Sequence, residues 1–218
     1  MTSIGSGSFF KTSSENWRKS WKSRNFRFRF SITAAGLLMA AYILGAFLDY
    51  IETRSGAVIK DPLLGIFQPV DLTWLTFLII YLSVIVALIS LAREPERLML
   101  AMQAYILLAS LRMLSMYLLP LDPPPLLIPL TDPFVESLSS GTLTRDLFFS
   151  GHTSTLFLLF LTASGRNLRR FFLLCTIMVA ICVLIQHVHY TIDVVAAPFY
   201  SYTSYRIVAI LAGSSSGN

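Results

Sequence analysis

The sequence contains three histidines, and all three fall in two short motifs that combine acids, hydroxyl groups and glycine. The first motif, Asp146–Thr153, reads Asp-Leu-Phe-Phe-Ser-Gly-His-Thr, and the second, His187–Asp193, reads His-Val-His-Tyr-Thr-Ile-Asp. Both motifs adjoin apolar segments. Ionisable groups in or next to such segments are costly to keep there, so each motif is a candidate functional site.

In the second motif, His189 stands four residues before Asp193. If this stretch is helical, both side chains share a face and the carboxylate accepts a hydrogen bond from one ring nitrogen. Such a bond fixes the tautomer and raises the basicity of the other nitrogen, as a nucleophilic or basic histidine requires. The spacing therefore favours a catalytic His189 that is oriented by Asp193.

In the first motif, Ser150 and Gly151 allow a tight turn directly before a helix that starts near His152. The start of a helix presents free backbone N–H groups and the positive end of the helix dipole, which together form an anion site. We expect a phosphoryl group to bind there between two histidines. One histidine would attack phosphorus, and the other would protonate the leaving alkoxide.

The composition indicates a protein that is solvated by lipid, because 55% of its residues are hydrophobic and only 13% are charged. A soluble domain of this size carries roughly 25% charged residues. The predicted fold is an all-α integral membrane protein, a six-transmembrane helical bundle. The predicted spans are 30–51, 73–92, 97–119, 148–165, 169–187 and 193–212. Residues 1–29 form a basic cytoplasmic leader, 30–212 the membrane catalytic domain and 213–218 a polar tail.

The distribution of positive charge orients the predicted bundle. With the amino terminus inside, twelve of the 17 Lys and Arg lie in inside segments and three in outside loops, as the positive-inside rule describes. Both histidine motifs then lie at the lumenal or extracellular face, and Arg112 lies in the outer third of the third span. The basic leader is expected to contact the inner membrane surface rather than nucleic acid.

Several polar residues have more than one interpretation. Zinc is an alternative, because His152, His187, His189 and Asp193 are possible ligands. However, His187 and His189 would diverge on a helix, and His187 is expected to lie beside a polar headgroup. The acids near the first outside loop are expected to be solvated interface charges; they are Asp49, Glu52, Asp61 and Asp71. Cys175 and Cys182 are expected to be small core residues, too far apart for a disulfide.

At these motifs the sequence resembles the type 2 phosphatidic acid phosphatase superfamily, and within it the lipid phosphotransferases related to sphingomyelin synthase. The first motif of that group, Asp-x-x-x-Ser-Gly-His-Thr, is matched by Asp146, Ser150, Gly151, His152 and Thr153. The second, His-Tyr-Thr-x-Asp-Val, is matched by His189, Tyr190, Thr191, Asp193 and Val194. The stretch that begins at Arg112 is similar to the Arg-containing third helix of the group.

The resemblance implies a six-helix bundle in which His189 forms a phosphohistidine, Asp193 orients it and His152 acts as acid and base. It implies that neither a metal nor another cofactor is needed. The residues expected to bind the substrate or its phosphate are Arg112, Asp146, Ser150, Gly151, Thr153 and Tyr190.

The departures from the phosphatase branch favour transfer over dephosphorylation. That branch usually has a Lys-x6-Arg-Pro motif, which is absent here, and an Arg at the position that Val183 occupies. A phosphate monoester carries nearly two charges and is best held by several cations, whereas this face offers Arg112 and Arg145.

We therefore expect a transferase that moves phosphocholine or phosphoethanolamine from a glycerophospholipid donor to a lipid acceptor, ceramide or diacylglycerol. One alternative is a lipid phosphate phosphatase or phospholipase C-like hydrolase with water as the acceptor. The other alternative is a non-catalytic lipid sensor or scaffold.

Overall fold

The computed structural model describes residues 6–131 and 143–214, which form seven α-helices and no β-strand. The helices are α1 (Ser6–Lys22), α2 (Arg24–Glu52), α3 (Thr73–Leu91), α4 (Pro95–Leu118), α5 (Gly151–Thr162), α6 (Arg166–Ile185) and α7 (Thr191–Ser214), with a 3-10 turn at Leu64–Ile66. The predicted all-α class is confirmed for this part of the chain.

Each of the six predicted spans coincides with a helix, but the helices differ in length and polarity. Four of them, α2, α3, α4 and α6, are long and apolar enough to cross a membrane. Helix α5 has only 12 residues, and the middle of α7, from Tyr200 to Arg206, is polar. The membrane character of the protein is therefore supported, whereas the count of six crossings stays a prediction.

Helix α5 is the centre of the bundle. On one side, Leu156 packs against Ile79 of α3 and Val179 of α6. On the other side, Leu158 packs with Ala104 of α4 and Ala197 of α7. Both alanines are fully buried, and small side chains at such contacts let helix backbones approach closely. The helix that begins at the first histidine motif is thus surrounded by four others.

Helix α2 lies outside this core and packs on α4, where Gln103 Nε2 donates a hydrogen bond to Thr33 Oγ1 at 3.0 Å. Only 11% of its most apolar stretch is buried. Leu38 and Tyr42, for example, are 74% and 76% exposed. An apolar surface of this extent requires a non-aqueous neighbour, and lipid is the neighbour that the composition indicates.

The described part of the leader, from residue 6, is mainly helical and folds against the turn between α3 and α4. Trp17 Nε1 donates a hydrogen bond to the Ala92 carbonyl at 2.7 Å, and Asn16 Nδ2 donates to the Arg93 carbonyl at 2.9 Å. Helix α2 begins at Arg24, so it starts before the boundary that was predicted at residue 30. The division of the chain into leader, membrane domain and tail stays a prediction.

Loops cover the opposite end of the bundle, where α5 and α7 begin and α6 ends; we call this the site end. The fully buried Gln186 joins them. Its side-chain oxygen accepts from Leu72 N at 3.0 Å, its side-chain nitrogen donates to Thr73 Oγ1 at 2.9 Å, and its carbonyl accepts from Ile128 N at 3.2 Å. The proline-rich segment 119–131 has no helix, because proline lacks a backbone N–H group and clashes within a helix; Pro133 lies outside the described residues.

Candidate active site

The first histidine motif forms the start of α5. Ser150 is the N-cap residue, and its Oγ accepts a hydrogen bond from Thr153 N at 3.4 Å and donates one to Thr153 Oγ1 at 3.1 Å. A serine at this position satisfies one of the backbone N–H groups that a helix start leaves without an internal partner. The predicted helix start is confirmed, because α5 begins at Gly151.

The two motifs are in direct contact, because Ser150 N donates to the carbonyl of Asp193 at 3.1 Å. The Asp193 carboxylate is fully buried, and its Oδ2 accepts from Tyr190 N at 3.0 Å. An acid in the first turn that reaches back to the residue before the helix is one half of a capping box. This contact fixes Asp193 at the beginning of α7.

His189 lies next to that carboxylate, with 3.4 Å between its Nδ1 and Asp193 Oδ2. His189 precedes α7, which begins at Thr191. The pair therefore meets across the helix start and not along a helical face. The distance is longer than a charge-assisted hydrogen bond, but catalytic hydrogen bonds are often long until substrate binds. Both side chains are 1% exposed or less.

The two candidate catalytic histidines face each other, with 6.4 Å between the ring centroids of His152 and His189 and 63° between the ring planes. His152 is the second residue of α5 and also contacts Phe77 edge-on, at 6.2 Å between centroids. A phosphoryl group bound between the rings would therefore have one histidine on each side.

Arg112 supplies the positive charge of the site. The residue is 8% exposed; its Nε donates to the Phe149 carbonyl at 3.0 Å and its Nη2 lies 2.5 Å from Asp146 Oδ1. Burial alone would raise the pKa of Asp146, but the Arg112 guanidinium outweighs this effect and holds the pKa below its usual range, with smaller contributions from the two histidines. Asp146 is therefore ionised at neutral pH and compensates the charge of Arg112.

A cavity of about 190 Å³ lies between the Arg112–Asp146 pair, His152 and the membrane-facing helices, and His189 lies behind His152 without lining it. Its polar wall contains Arg112, Asp146, Gly151 and His152. Its apolar wall contains side chains from α2, α3, α4 and α5, among them Leu44, Ile80, Leu108 and Leu156. A wall that is polar on one side and hydrocarbon on the other suits a phosphate that is joined to a lipid.

The structure brings together most of the predicted site residues. His152, His189, Asp193, Arg112, Asp146 and Gly151 converge at the start of α5. The side chains of Ser150 and Thr153 bond to each other and do not line the cavity. Tyr190 points elsewhere, since its hydroxyl donates to the Asp122 carbonyl at 2.9 Å and accepts from Ile59 N at 3.2 Å. A direct phosphate contact from these three residues stays a prediction.

Two acids near the site behave differently from what the sequence predicted. Glu52 Oε1 accepts from the backbone N–H groups of Thr144 and Arg145, both at 2.6 Å. Asp61 Oδ2 accepts from Thr191 N at 2.6 Å. The prediction that both are solvated interface charges is wrong. Their partners lie 92 to 130 residues away, and no local pattern identifies such contacts.

Arg145 also has a structural partner: its Nε donates to Asp122 Oδ1 at 2.8 Å, and its Nη1 donates to the Glu52 carbonyl at 2.9 Å. It does not line the cavity. Among the described residues, no three His, Cys, Asp or Glu side chains are grouped as metal ligands would be. Cys175 and Cys182 are buried thiols in α6, as expected.

Residues 145–210 match the family model described as PAP2 superfamily C-terminal. The matched segment contains both histidine motifs and the helices α5, α6 and most of α7, while Arg112 lies outside it. The match supports the PAP2 superfamily, whose enzymes are phosphatases and phosphotransferases. No curated protein matches the chain.

Proposed function

We propose that this protein is a membrane lipid phosphotransferase that works through a phosphohistidine on His189. It moves phosphocholine or phosphoethanolamine from a glycerophospholipid to the hydroxyl group of ceramide or diacylglycerol. The observation that carries the proposal is the arrangement of His152 and His189, 6.4 Å apart between ring centroids, at the start of α5. The family match supports chemistry of this type.

In the first half of the reaction, His189 is the nucleophile. Because its Nδ1 faces Asp193, its Nε2 forms the bond to phosphorus. The bond between phosphorus and the diacylglycerol oxygen breaks, and protonated His152 gives its proton to that alkoxide. Diacylglycerol leaves, and the phospho-headgroup remains on His189.

In the second half, neutral His152 takes the proton from the hydroxyl of the acceptor lipid. The acceptor oxygen attacks phosphorus and the bond between phosphorus and Nε2 breaks. The headgroup is then on the acceptor, His189 is neutral and His152 is protonated again. Each proton that enters the cycle is returned, and no further reactant is required.

The negative charge that develops on the phosphoryl oxygens needs fixed donors. The backbone N–H groups at the start of α5 and the guanidinium of Arg112 are the donors nearest to the two histidines, and removing one donor of this kind commonly reduces turnover by about 10²–10³-fold. Asp146 does not contact the phosphate in this scheme. It is a positioning residue that holds the Arg112 guanidinium.

The charges around the cavity favour a diester over a monoester substrate. Asp146 already compensates Arg112, and Arg145 is occupied by Asp122 and by the Glu52 carbonyl. A monoester with nearly two charges would lack the additional cations that it needs, whereas a phosphodiester carries one charge. This is the reason to favour headgroup transfer over a phosphatase activity.

We further propose that the site end faces the lumen or the cell exterior and that the amino terminus is cytoplasmic. This orientation rests on the excess of Lys and Arg in the leader, around the turn between α3 and α4, and in the first turns of α6. The donor and acceptor lipids would then come from the non-cytoplasmic leaflet.

The test uses purified protein in mixed micelles with fluorescent ceramide or fluorescent diacylglycerol and either phosphatidylcholine or phosphatidylethanolamine as donor. Labelled phospholipid should form with the wild type and disappear with His189→Ala. Gly45→Ala is the matched control, because no atom lies within 4 Å of the added methyl group.

Three results would contradict the proposal. Donor breakdown without labelled phospholipid would favour the hydrolase. Transfer that persists in His189→Ala would remove His189 as the nucleophile. The absence of both product and phosphohistidine in every lipid combination would favour a non-catalytic lipid-binding protein.

A further inference from the structure

The connection between α6 and α7 carries a histidine, His187, that has no part in the proposed reaction. Its φ is +56°, in the left-handed region. Its N–H donates to the Leu184 carbonyl at 3.0 Å, and the next N–H, of Val188, donates to the Val183 carbonyl at 2.9 Å. These bonds form a Schellman motif at the end of α6, whose left-handed position is usually occupied by glycine or asparagine.

The side chain of His187 is also in an unfavourable environment. The residue is 3% exposed, and its Nε2 has no hydrogen-bond partner among the residues that the structure describes. Its ring packs edge-on against Phe67, with 5.3 Å between centroids. Backbone conformation and burial thus both oppose a histidine here. Residues that are held in an unfavourable backbone conformation or environment cluster at sites that bind ligands.

His187 lines a cavity of about 420 Å³ at the site end. This cavity shares no lining residue with the 190 Å³ cavity beside His152. Most of its wall is apolar and comes from the loops, including Val58, Leu64 and Leu126. The space is therefore a separate pocket that the loops and the α6–α7 connection form together.

The polar side chains that line this pocket fall into two pairs. The carboxylate of Asp61 and the hydroxyl of Tyr190 are engaged in hydrogen bonds within the protein. The other pair, Lys60 and His187, has unused bonding capacity. Lys60 is exposed and forms no ion pair with any side chain in the described ranges. The Lys60 ammonium and the imidazole of His187 remain to bind a ligand.

We propose that this pocket is a second lipid site, which binds the phosphate of a phospholipid between Lys60 and His187. An ammonium group and an imidazole N–H both donate to a phosphate oxygen. The apolar wall then contacts the glycerol and the first part of the acyl chains. An oxyanion joined to hydrocarbon fits both halves of the pocket, whereas free phosphate would leave the larger, apolar half without a partner.

The test is photocrosslinking of the full-length protein in mixed micelles that contain a phosphatidylcholine with a photoreactive group beside its phosphate. The adducts are then mapped by mass spectrometry. We expect adducts on residues 58–66 and 122–128 with the wild type. We expect them to fall at least about fivefold with His187→Gly and with Lys60→Gln, while adducts on α4 and α5 are unchanged.

The melting temperature separates binding from a merely structural role. Glycine relieves the left-handed backbone and removes a buried nitrogen that has no partner among the described residues. These gains offset the loss of the Phe67 contact, so without lipid His187→Gly should melt close to the wild-type temperature. A clearly lower melting temperature would make His187 a structural residue and overturn the proposal. Loop adducts that are unchanged in both variants would also overturn it.

Inorganic phosphate is the competitor that identifies the source of the oxyanion. We expect millimolar phosphate to leave the loop adducts unchanged and an excess of unlabelled phosphatidylcholine to remove them. Displacement by phosphate alone would exclude a lipid site. Since the readout is binding, it does not depend on whether His189 transfers a headgroup.

Discussion

The guanidinium of Arg112 lies directly against Gly151. A methyl group at residue 151 would be 2.5 Å from Arg112 Cζ and 2.6 Å from Nη1. The glycine of the first motif is therefore required because the arginine occupies the space of a side chain. Arg112 is held there by Asp146 and by the Phe149 carbonyl.

Gly151→Ala should reduce turnover by about 10²–10³-fold, the usual effect of losing one donor to a developing negative charge. The methyl group would displace the guanidinium while leaving both histidines in place. The measurement is the initial rate of headgroup transfer. Gly45→Ala, which introduces the same methyl group into α2 without any contact, should keep the wild-type rate. Equal rates for the two variants would show that Arg112 does not act in the reaction.

Asp193→Asn should slow formation of the phosphoenzyme strongly. The loss expected for a histidine held in the wrong tautomer is on the order of 10⁴-fold. The measurement is label trapped on His189 after incubation with a donor that carries radioactive phosphorus. Because Asp193 also accepts from Tyr190 N, the melting temperature of the variant must be determined in parallel. A correctly folded variant with a normal rate of labelling would remove Asp193 as the orienting residue.

His152→Ala should lose turnover with natural donors but should still release about one nitrophenolate per protein molecule from 4-nitrophenyl phosphocholine, because the second half of the reaction also needs His152 as a base. The diacylglycerol alkoxide needs a proton in order to leave, whereas 4-nitrophenolate does not. The measurement is release of nitrophenolate, with His189→Ala as the inactive control. If His152→Ala released no nitrophenolate, His152 would have a role other than general acid.

The ion pair of Asp146 predicts a dependence of stability on pH. The pKa of Asp146 is lowered in the folded protein, with Arg112 as the main partner that opposes burial, and an unfolded Asp titrates near about 3.9. Its stabilising contribution is thus complete above about pH 4 and is lost as the pH falls through the folded pKa.

Asp146→Asn should therefore melt below the wild type at neutral pH, and the difference should shrink as the pH is lowered under about 4. The measurement is thermal unfolding in detergent at a series of pH values. A difference that is independent of pH would show that the carboxylate charge of Asp146 does not stabilise the fold.

Glu52→Gln should affect stability more than chemistry. Glu52 holds the backbone N–H groups of Thr144 and Arg145, and hydrogen bonds to a charged group contribute about 1.5–3 kcal/mol each. We expect a lower melting temperature with a turnover rate within about threefold of the wild type. A large fall in turnover at an unchanged melting temperature would instead place Glu52 in the reaction.

The convergence of the candidate catalytic residues could be predicted from sequence because residues of these types are rare in apolar surroundings. His152, His189 and Asp193 are such residues, and their motifs are short enough to be recognised locally. The proximity of His189 and Asp193 was predicted for a different reason from the one observed. A common helical face was expected, whereas Asp193 reaches back across the start of α7 as a capping residue.

The supporting contacts could not be predicted, because they join residues that are distant in sequence. Gln186 connects three loops, and Asp61 binds the start of α7 from 130 residues away. A polar side chain carries no local sign of which backbone group it will satisfy. The left-handed backbone of His187 could not be predicted from the sequence either, because it arises from the way in which α6 ends.

The shortness of α5 has a consequence for the fate of a phosphohistidine. Helix α6 runs back alongside α5 and is eight residues longer, about 12 Å at 1.5 Å per residue. His152 therefore lies roughly two helical turns inside the end of its neighbour, below the loops. In the orientation proposed above, such a depth would favour a lipid hydroxyl over bulk water as the acceptor. The position of the phosphohistidine in the bundle would thus determine whether an alcohol or water is the acceptor. The intrinsic reactivity of the two acceptors would not.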